Sequence, residues 1–235
     1  MRKILLYFSL LLCVPSFAQQ QPLFSQYYTN EVAINPAVSG SKSYNSFTIL
    51  SRQQWLGFEG APLSTNISYH GAINNRSAMG GYLLFDRASP ALQANLHLNY
   101  AYHIPLDYDK VNLSFGLGAK FMYYNLDFND EDLPPNIDPA FSANSYENTL
   151  GDASSGVYLY GRKFYFGFSA SDLLQSTFNP SVEYSPNSNR LFTNYYAMGA
   201  YRFYTINKDW QLEPSFLLRK KNLHQAVVDL TSRII

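Results

Sequence analysis

Ala91-Leu92-Gln93-Ala94-Asn95-Leu96-His97-Leu98-Asn99-Tyr100-Ala101-Tyr102-His103 alternates almost without a break. Leu92, Ala94, Leu96, Leu98, Tyr100 and Tyr102 fall on one side, and Gln93, Asn95, His97, Asn99 and His103 on the other. A period of two belongs to a β-strand, whose successive side chains point to opposite faces. The run exceeds the ~5 to 6 residues of an ordinary soluble strand and suffices for the ~9 to 11 that cross a bilayer at a tilt. Val111 to Tyr123 repeats the pattern, with Val111, Leu113, Phe115, Leu117, Ala119, Phe121 and Tyr123 opposite Asn112, Ser114, Gly116, Gly118 and Lys120. In a membrane barrel the apolar side meets lipid and the polar or small side lines the lumen.

Working outward, ten strands are expected, at 43–52, 63–71, 77–86, 91–103, 111–123, 153–160, 164–171, 191–203, 210–219 and 225–234. The links Ile73 to Arg76, Gly161 to Lys163 and Thr205 to Asp209 are short, whereas those at 53–62, 124–152 and 172–190 are long. All the long links share one parity, as long extracellular loops and short periplasmic turns would. Arg87 to Pro90 and Lys220 to His224 are short on the long-loop side and depart from that pattern.

Aromatic residues make up 17% of the chain, with 20 Tyr and 17 Phe, and charged residues only 14%, against ~25% in a soluble domain. So much aromatic surface needs an apolar setting, yet beyond the first residues no apolar run has the ~20 residues of a membrane helix. A closed barrel is the other structure that satisfies every backbone donor and acceptor inside hydrocarbon. The expected fold is therefore all-β, an antiparallel up-and-down transmembrane barrel. A soluble β-sandwich is the alternative, since alternating strands occur in both and sequence does not say whether the apolar face is buried in a core.

Arg2 and Lys3, the apolar run Ile4 to Val14, and Pro15-Ser16-Phe17-Ala18 form a secretory signal peptide cleaved after Ala18. The domain plan is a leader at 1–18, a periplasmic N-terminal segment at 19–42 and an outer-membrane barrel at 43–235. Cys13, the single cysteine, leaves with the leader, so the mature chain offers no disulfide, thiolate nucleophile or cysteine metal ligand. Loss of Arg2 and Lys3 leaves 15 basic against 17 acidic residues, net −2, with no basic cluster to grip phosphates. Nucleic acid is not an expected partner.

Two stretches stand apart from the strand pattern. Phe24-Ser25-Gln26-Tyr27 is followed by Asn35-Pro36-Ala37 and Gly40, and the first strand runs into Arg52-Gln53-Gln54-Trp55 and Gly57-Phe58-Glu59-Gly60-Ala61-Pro62. Asn35-Pro36 is a turn signal, because proline fixes its own φ and drives the preceding residue out of helical geometry. Arg52, Gln53 and Gln54 place many donors before Trp55, whose amphipathic ring suits a membrane interface. Two roles stay open: Trp55 and Phe58 as girdle residues with Arg52 as a paired lumen charge, or the whole run as a partner-docking surface.

These motifs, in this order behind a leader, resemble the opening of the PorP/SprF proteins of type IX secretion and gliding motility. Asp86 and Tyr100-Ala101-Tyr102 also fit, so the specific likeness covers roughly the first 105 residues. The resemblance implies an outer-membrane barrel without enzymatic activity that acts with secretion machinery or supports surface display of partners such as gliding adhesins. Family members are generally longer, and Arg233-Ile234-Ile235 lacks the terminal aromatic common in such barrels, so a shortened or truncated member is expected.

Chemistry has little to stand on here. His70, His97, His103 and His224 lack metal-ligand spacing. His97 and His103 share one face, but six residues of strand hold them ~20 Å apart. Ser68 and His70 point the same way ~7 Å apart, beyond hydrogen-bond reach. Asn129-Asp130-Glu131-Asp132 with Asp138 is read as a solvated loop, since Pro134-Pro135 interrupts it and the spacing is not that of an EF-hand. No cofactor, metal or small-molecule substrate is implied. A diffusion pore and an outer-membrane hydrolase are the rival functions.

Overall fold

The computed structural model describes residues 27–58, 60–106, 110–127, 145–177, 190–204, 210–221 and 226–234. The leader, Phe24 to Gln26, Glu59, the acidic stretch at 129–138 and His224 lie outside them. Three short 3-10 turns come first: η1 (Tyr27–Thr29), η2 (Glu31–Ala33) and η3 (Pro36–Val38). The strands follow as β1 (Ser46–Gln53), β2 (Leu63–Ala72), β3 (Ser77–Ala88), β4 (Ala91–Pro105), β5 (Val111–Asp127) and β6 (Ser145–Gly161). They continue as β7 (Phe164–Ser171), β8 (Asn194–Tyr201), β9 (Phe203–Tyr204), β10 (Gln211–Lys221) and β11 (Val227–Ile234).

All eleven belong to one antiparallel sheet in which each strand pairs with its sequence neighbour, β8 and β9 both lying against β10. The expected single strand at 191–203 is split, because Arg202 steps out of the ladder: its backbone N–H donates to Lys163 O at 2.6 Å and its guanidinium turns to Glu213. β6 starts earlier than expected, at Ser145, and pairs with β5 along its whole length. Polar Asn148 and Asp152 and the bare Gly151 obscure the alternation there. Among the described residues β1 and β11 each pair on one side only, so the sheet is not closed.

Burial separates the two faces in the sense opposite to a soluble core. Leu117, Phe115, Phe121, Leu98 and Leu96 are exposed, as are Phe166 and Phe168. Asn95, His97, Asn99, His103, Ser114, Lys120, Ser154 and Ser169 are buried. A sheet that shows solvent its Leu and Phe and hides Asn, Ser and Lys has an apolar outer surface made for hydrocarbon. A sandwich would have the two faces exchanged.

The sheet curls around residues 28–42. From Tyr28 onward the N-terminal segment lies against the inward face, with Asn30, Val32, Asn35, Ala37, Val38 and Ser39 all buried. The chain meets Arg233 of β11 at Tyr28, 5.0 Å from ring centroid to guanidinium. It reaches Asn66 of β2 at Asn30 and returns to His70 and His103 at Gly40 and Ser39. It thus enters and leaves by the end of the sheet that carries the short turns.

Candidate functional site

Asn35 opens η3 in an extended conformation, φ −136° and ψ 114°, and its Oδ1 accepts the N–H of Ala37 at 2.9 Å. The cap suits a turn whose first residue is Pro36, which has no N–H to leave unpaired. Asn35 Nδ2 donates to Val157 O at 3.0 Å and Phe168 O at 3.4 Å, across β6 and β7. Bare glycines make room for this turn. A Cβ at Gly156 would collide with Asn35 Oδ1 and one at Gly116 with the backbone of Ala37, while one at Gly167 would stand 2.9 Å from Asn35 Nδ2. Gly40 leaves the seat with φ +73°, a conformation glycine adopts freely, and passes hard against Ala78.

Inward side chains hold the rest. Asn99 Nδ2 donates to Val32 O at 3.2 Å, Ser169 Oγ to Ile34 O at 2.7 Å and Ser114 Oγ to Ala37 O at 2.8 Å. His103 Nε2 meets Ser39 O at 2.9 Å while its Nδ1 meets Tyr160 OH at 3.0 Å, and His70 Nδ1 accepts the N–H of Gly40 at 3.2 Å. Beneath, Ala37 and Val38 pack with Tyr158, Met198 and Leu217 in the apolar cluster of the interior.

Towards the long loops a cavity of about 130 Å³ remains, walled by Asn95, His97, Lys120, Ser154 and Asp172 among others and floored by residues of the N-terminal segment. His97 stacks on Tyr82 with centroids 4.1 Å apart. Lys120 Nζ donates to Asp172 Oδ1 at 2.7 Å in a pair almost without solvent. Burial alone would raise the Asp172 carboxyl; Lys120 and the amide of Asn194 hold it below the usual carboxylate range. Asp172 begins the loop after β7 and points inward to Lys120. Asp152 anchors that loop by accepting the N–H groups of Leu174 at 2.9 Å and Ser176 at 3.4 Å.

The loop between β1 and β2 is the other distinct feature. Gln54 N–H donates to Pro62 O at 3.0 Å, Phe58 N–H to Trp55 O at 3.1 Å and Ser89 N–H to Gly60 O at 3.3 Å, which closes a compact tip. Trp55, Leu56 and Phe58 stand 70%, 76% and 75% exposed on it. Trp55 has φ +48°, a left-handed conformation that costs an L-residue with a bulky side chain ~1–2 kcal/mol.

A family model described as Type IX secretion system membrane protein PorP/SprF matches residues 16–235. The chain belongs to the PorP/SprF family. The match runs far past the roughly 105 residues whose motifs carried the likeness, and it takes in every strand of the sheet. Comparison with curated proteins gives no match.

The structure divides the PorP/SprF motif residues between two places. Asn35, Pro36, Ala37 and Gly40 are in the interior, and backbone alone is described for Tyr27. Arg52, Gln53, Gln54, Trp55, Gly57, Phe58 and Gly60 are exposed at the long-loop end. Asp86 accepts a hydrogen bond from Ser64 Oγ across the β2–β3 pair. The sequence reading put Asn99, Ser114 and Gly116 on the lumen face but gave no contact to them, and it did not single out Gly156, Gly167 or Ser169. The signal was present, since Gly116 and Gly156 are paired opposite one another and Gly167 follows on the next strand. A lumen lined by such small residues has volume that something must fill.

Proposed function

We propose that this protein serves type IX secretion as a non-enzymatic outer-membrane component, reached after cleavage of the leader at 1–18. Its partner, a subunit of the secretion machinery or an adhesin on its way to the surface, docks on the β1–β2 tip. The tip supports this reading because Trp55 keeps a costly backbone conformation while its ring stays out of any core. Backbone strain retained where it adds no packing is characteristic of recognition surfaces. Trp is also among the residues that most often dominate interface energetics. Arg52 and Gln53, exposed at the end of β1, supply polar contacts around the aromatic centre.

The interior gives less support to a diffusion pore, since among the described residues the N-terminal segment and Asp172 border a cavity of about 130 Å³. For a hydrolase, His70 and His103 are engaged with the main chain of the N-terminal segment and His97 with Tyr82. The test is to replace Trp55 and Phe58 together by Ala and recover the protein from outer membranes. The expected outcome is a normal yield of heat-modifiable protein with partner recovery and cargo export both reduced about tenfold or more, the effect of losing one interface hot spot. If both stay at wild-type level, the rings are girdle residues. Loss of assembly without prior loss of partner points to the same conclusion.

A further inference from the structure

The side chains that hold residues 30–40 address main chain more than side chain. Asn99, Ser169 and Ser114 each donate to a carbonyl, His103 meets another, and His70 takes an N–H. These five contacts come from β2, β4, β5 and β7, so they surround the segment. In detail the sheet reads the side chain of Asn30 through Asn66 and that of Asn35 through two carbonyls. It also limits the next position but one, because Ala37 is fully buried against Gly116. A surface of this kind selects for an asparagine-proline turn followed by a small residue and then an apolar one, since Val38 packs with Tyr158, Met198 and Leu217.

The resident segment fits incompletely. Asn30 Nδ2 donates to Asn66 Oδ1 at 2.5 Å, but Asn30 Oδ1, Asn66 Nδ2 and Ser39 Oγ are buried with no protein group to bond. These orphans lie where segment meets sheet, on both sides of the contact, and unmade buried hydrogen bonds weigh against the state that contains them. The polar column of β4 also continues past Asn99 to His97 and Asn95, which line the adjoining cavity and hold no carbonyl of the segment.

We infer that the concave face is a peptide-binding site, occupied in cis by residues 30–40, which accepts in their place a segment of a partner polypeptide bearing an asparagine-proline turn and a small residue after it. The inference does not depend on docking at the β1–β2 tip, because purified protein tests it without secretion machinery.

The probe is a fluorescent synthetic peptide with the sequence of residues 27–42, titrated into the full chain in detergent and followed by anisotropy. Binding to the wild-type chain should be saturable. It should tighten about tenfold for an Asn35→Ala chain, whose own segment is held less firmly. A peptide with Ala in place of Asn35 should bind about tenfold more weakly, the factor that ~1.4 kcal/mol of lost hydrogen bonding gives. A second variant does not rely on Asn35→Ala folding. Ser39 Oγ lies 2.7 Å from where a Cβ at residue 80 would stand and His70 Cβ 2.8 Å, so His70 must shift slightly, and a Ser39→Cys/Gly80→Cys chain that assembles as heat-modifiable protein locks the segment when oxidised. Oxidation should abolish peptide binding and reduction should restore it. No saturable binding to any of these chains would overturn the inference, as would binding indifferent to the peptide's asparagine or to the lock. Residues 30–40 would then be a permanent part of the fold.

Discussion

Lys120 and Asp172 are 7% and 1% exposed at their side chains and 2.7 Å apart, one on the inward face of β5 and the other in the loop after β7. Truncating one member of a buried pair strands the other charge, at a cost of ~3–5 kcal/mol, whereas replacing both by neutral groups costs much less. Lys120→Ala should therefore lower stability to denaturant far more than Lys120→Met combined with Asp172→Asn. The pair also sets a pH dependence. The folded Asp172 carboxyl titrates below its usual value, so its contribution is complete above about pH 4 and is lost as pH falls through the folded value. Acid unfolding should begin at higher pH in wild type than in the double variant when each is scaled to its stability at pH 7. The inward placement of Lys120 was legible from alternation, because its neighbours Ala119 and Phe121 fixed the outer face. Its partner was not, since Asp172 lies past the end of a strand, where period two has stopped and φ is +56°.

At the scale of elements, the N-terminal segment decides what the inside of the sheet is. Its turn was readable at Asn35-Pro36, from proline geometry alone. Its destination was not, because Asn35 is bonded to residues more than 120 positions away and no local pattern encodes such a contact. Gly156 gives the most direct handle. A Cβ there meets Asn35, so Gly156→Val should push the segment off the wall while leaving the outward side of β6 unchanged. Brief proteolysis should then cut within residues 28–42 in the variant and spare them in wild type. Cleavage at equal rates would mean that the segment is not held at this seat. The strands themselves were legible because one-sided polarity survives along each of them; the exception, β6, begins with residues polar on both faces.

For the molecule as a whole, strand order and parity followed from short and long links, and the sense of the curl followed from which face is polar. Apart from β9, which pairs with β10 alone, each strand lies beside the one before it along the path, so a sheet of this size needs no long crossover. Alternation alone serves both a barrel and a sandwich; the leader, the strand length and the aromatic load favoured the barrel, and burial bears it out by putting the apolar side outward. Site-directed spin labelling in lipid bilayers tests that assignment most directly. Single cysteines would be placed at Leu96, Leu117 and Phe166 on the outer face and at Asn95 and Ser154 beside the cavity of the mature chain, which has no cysteine of its own. The expected result is relaxation by oxygen well above that by a water-soluble nickel chelate at Leu96, Leu117 and Phe166, with little oxygen access at Asn95 and Ser154. Labels at Leu96, Leu117 and Phe166 that are shielded from both reagents, or more accessible to nickel than to oxygen, would contradict a membrane-facing apolar surface.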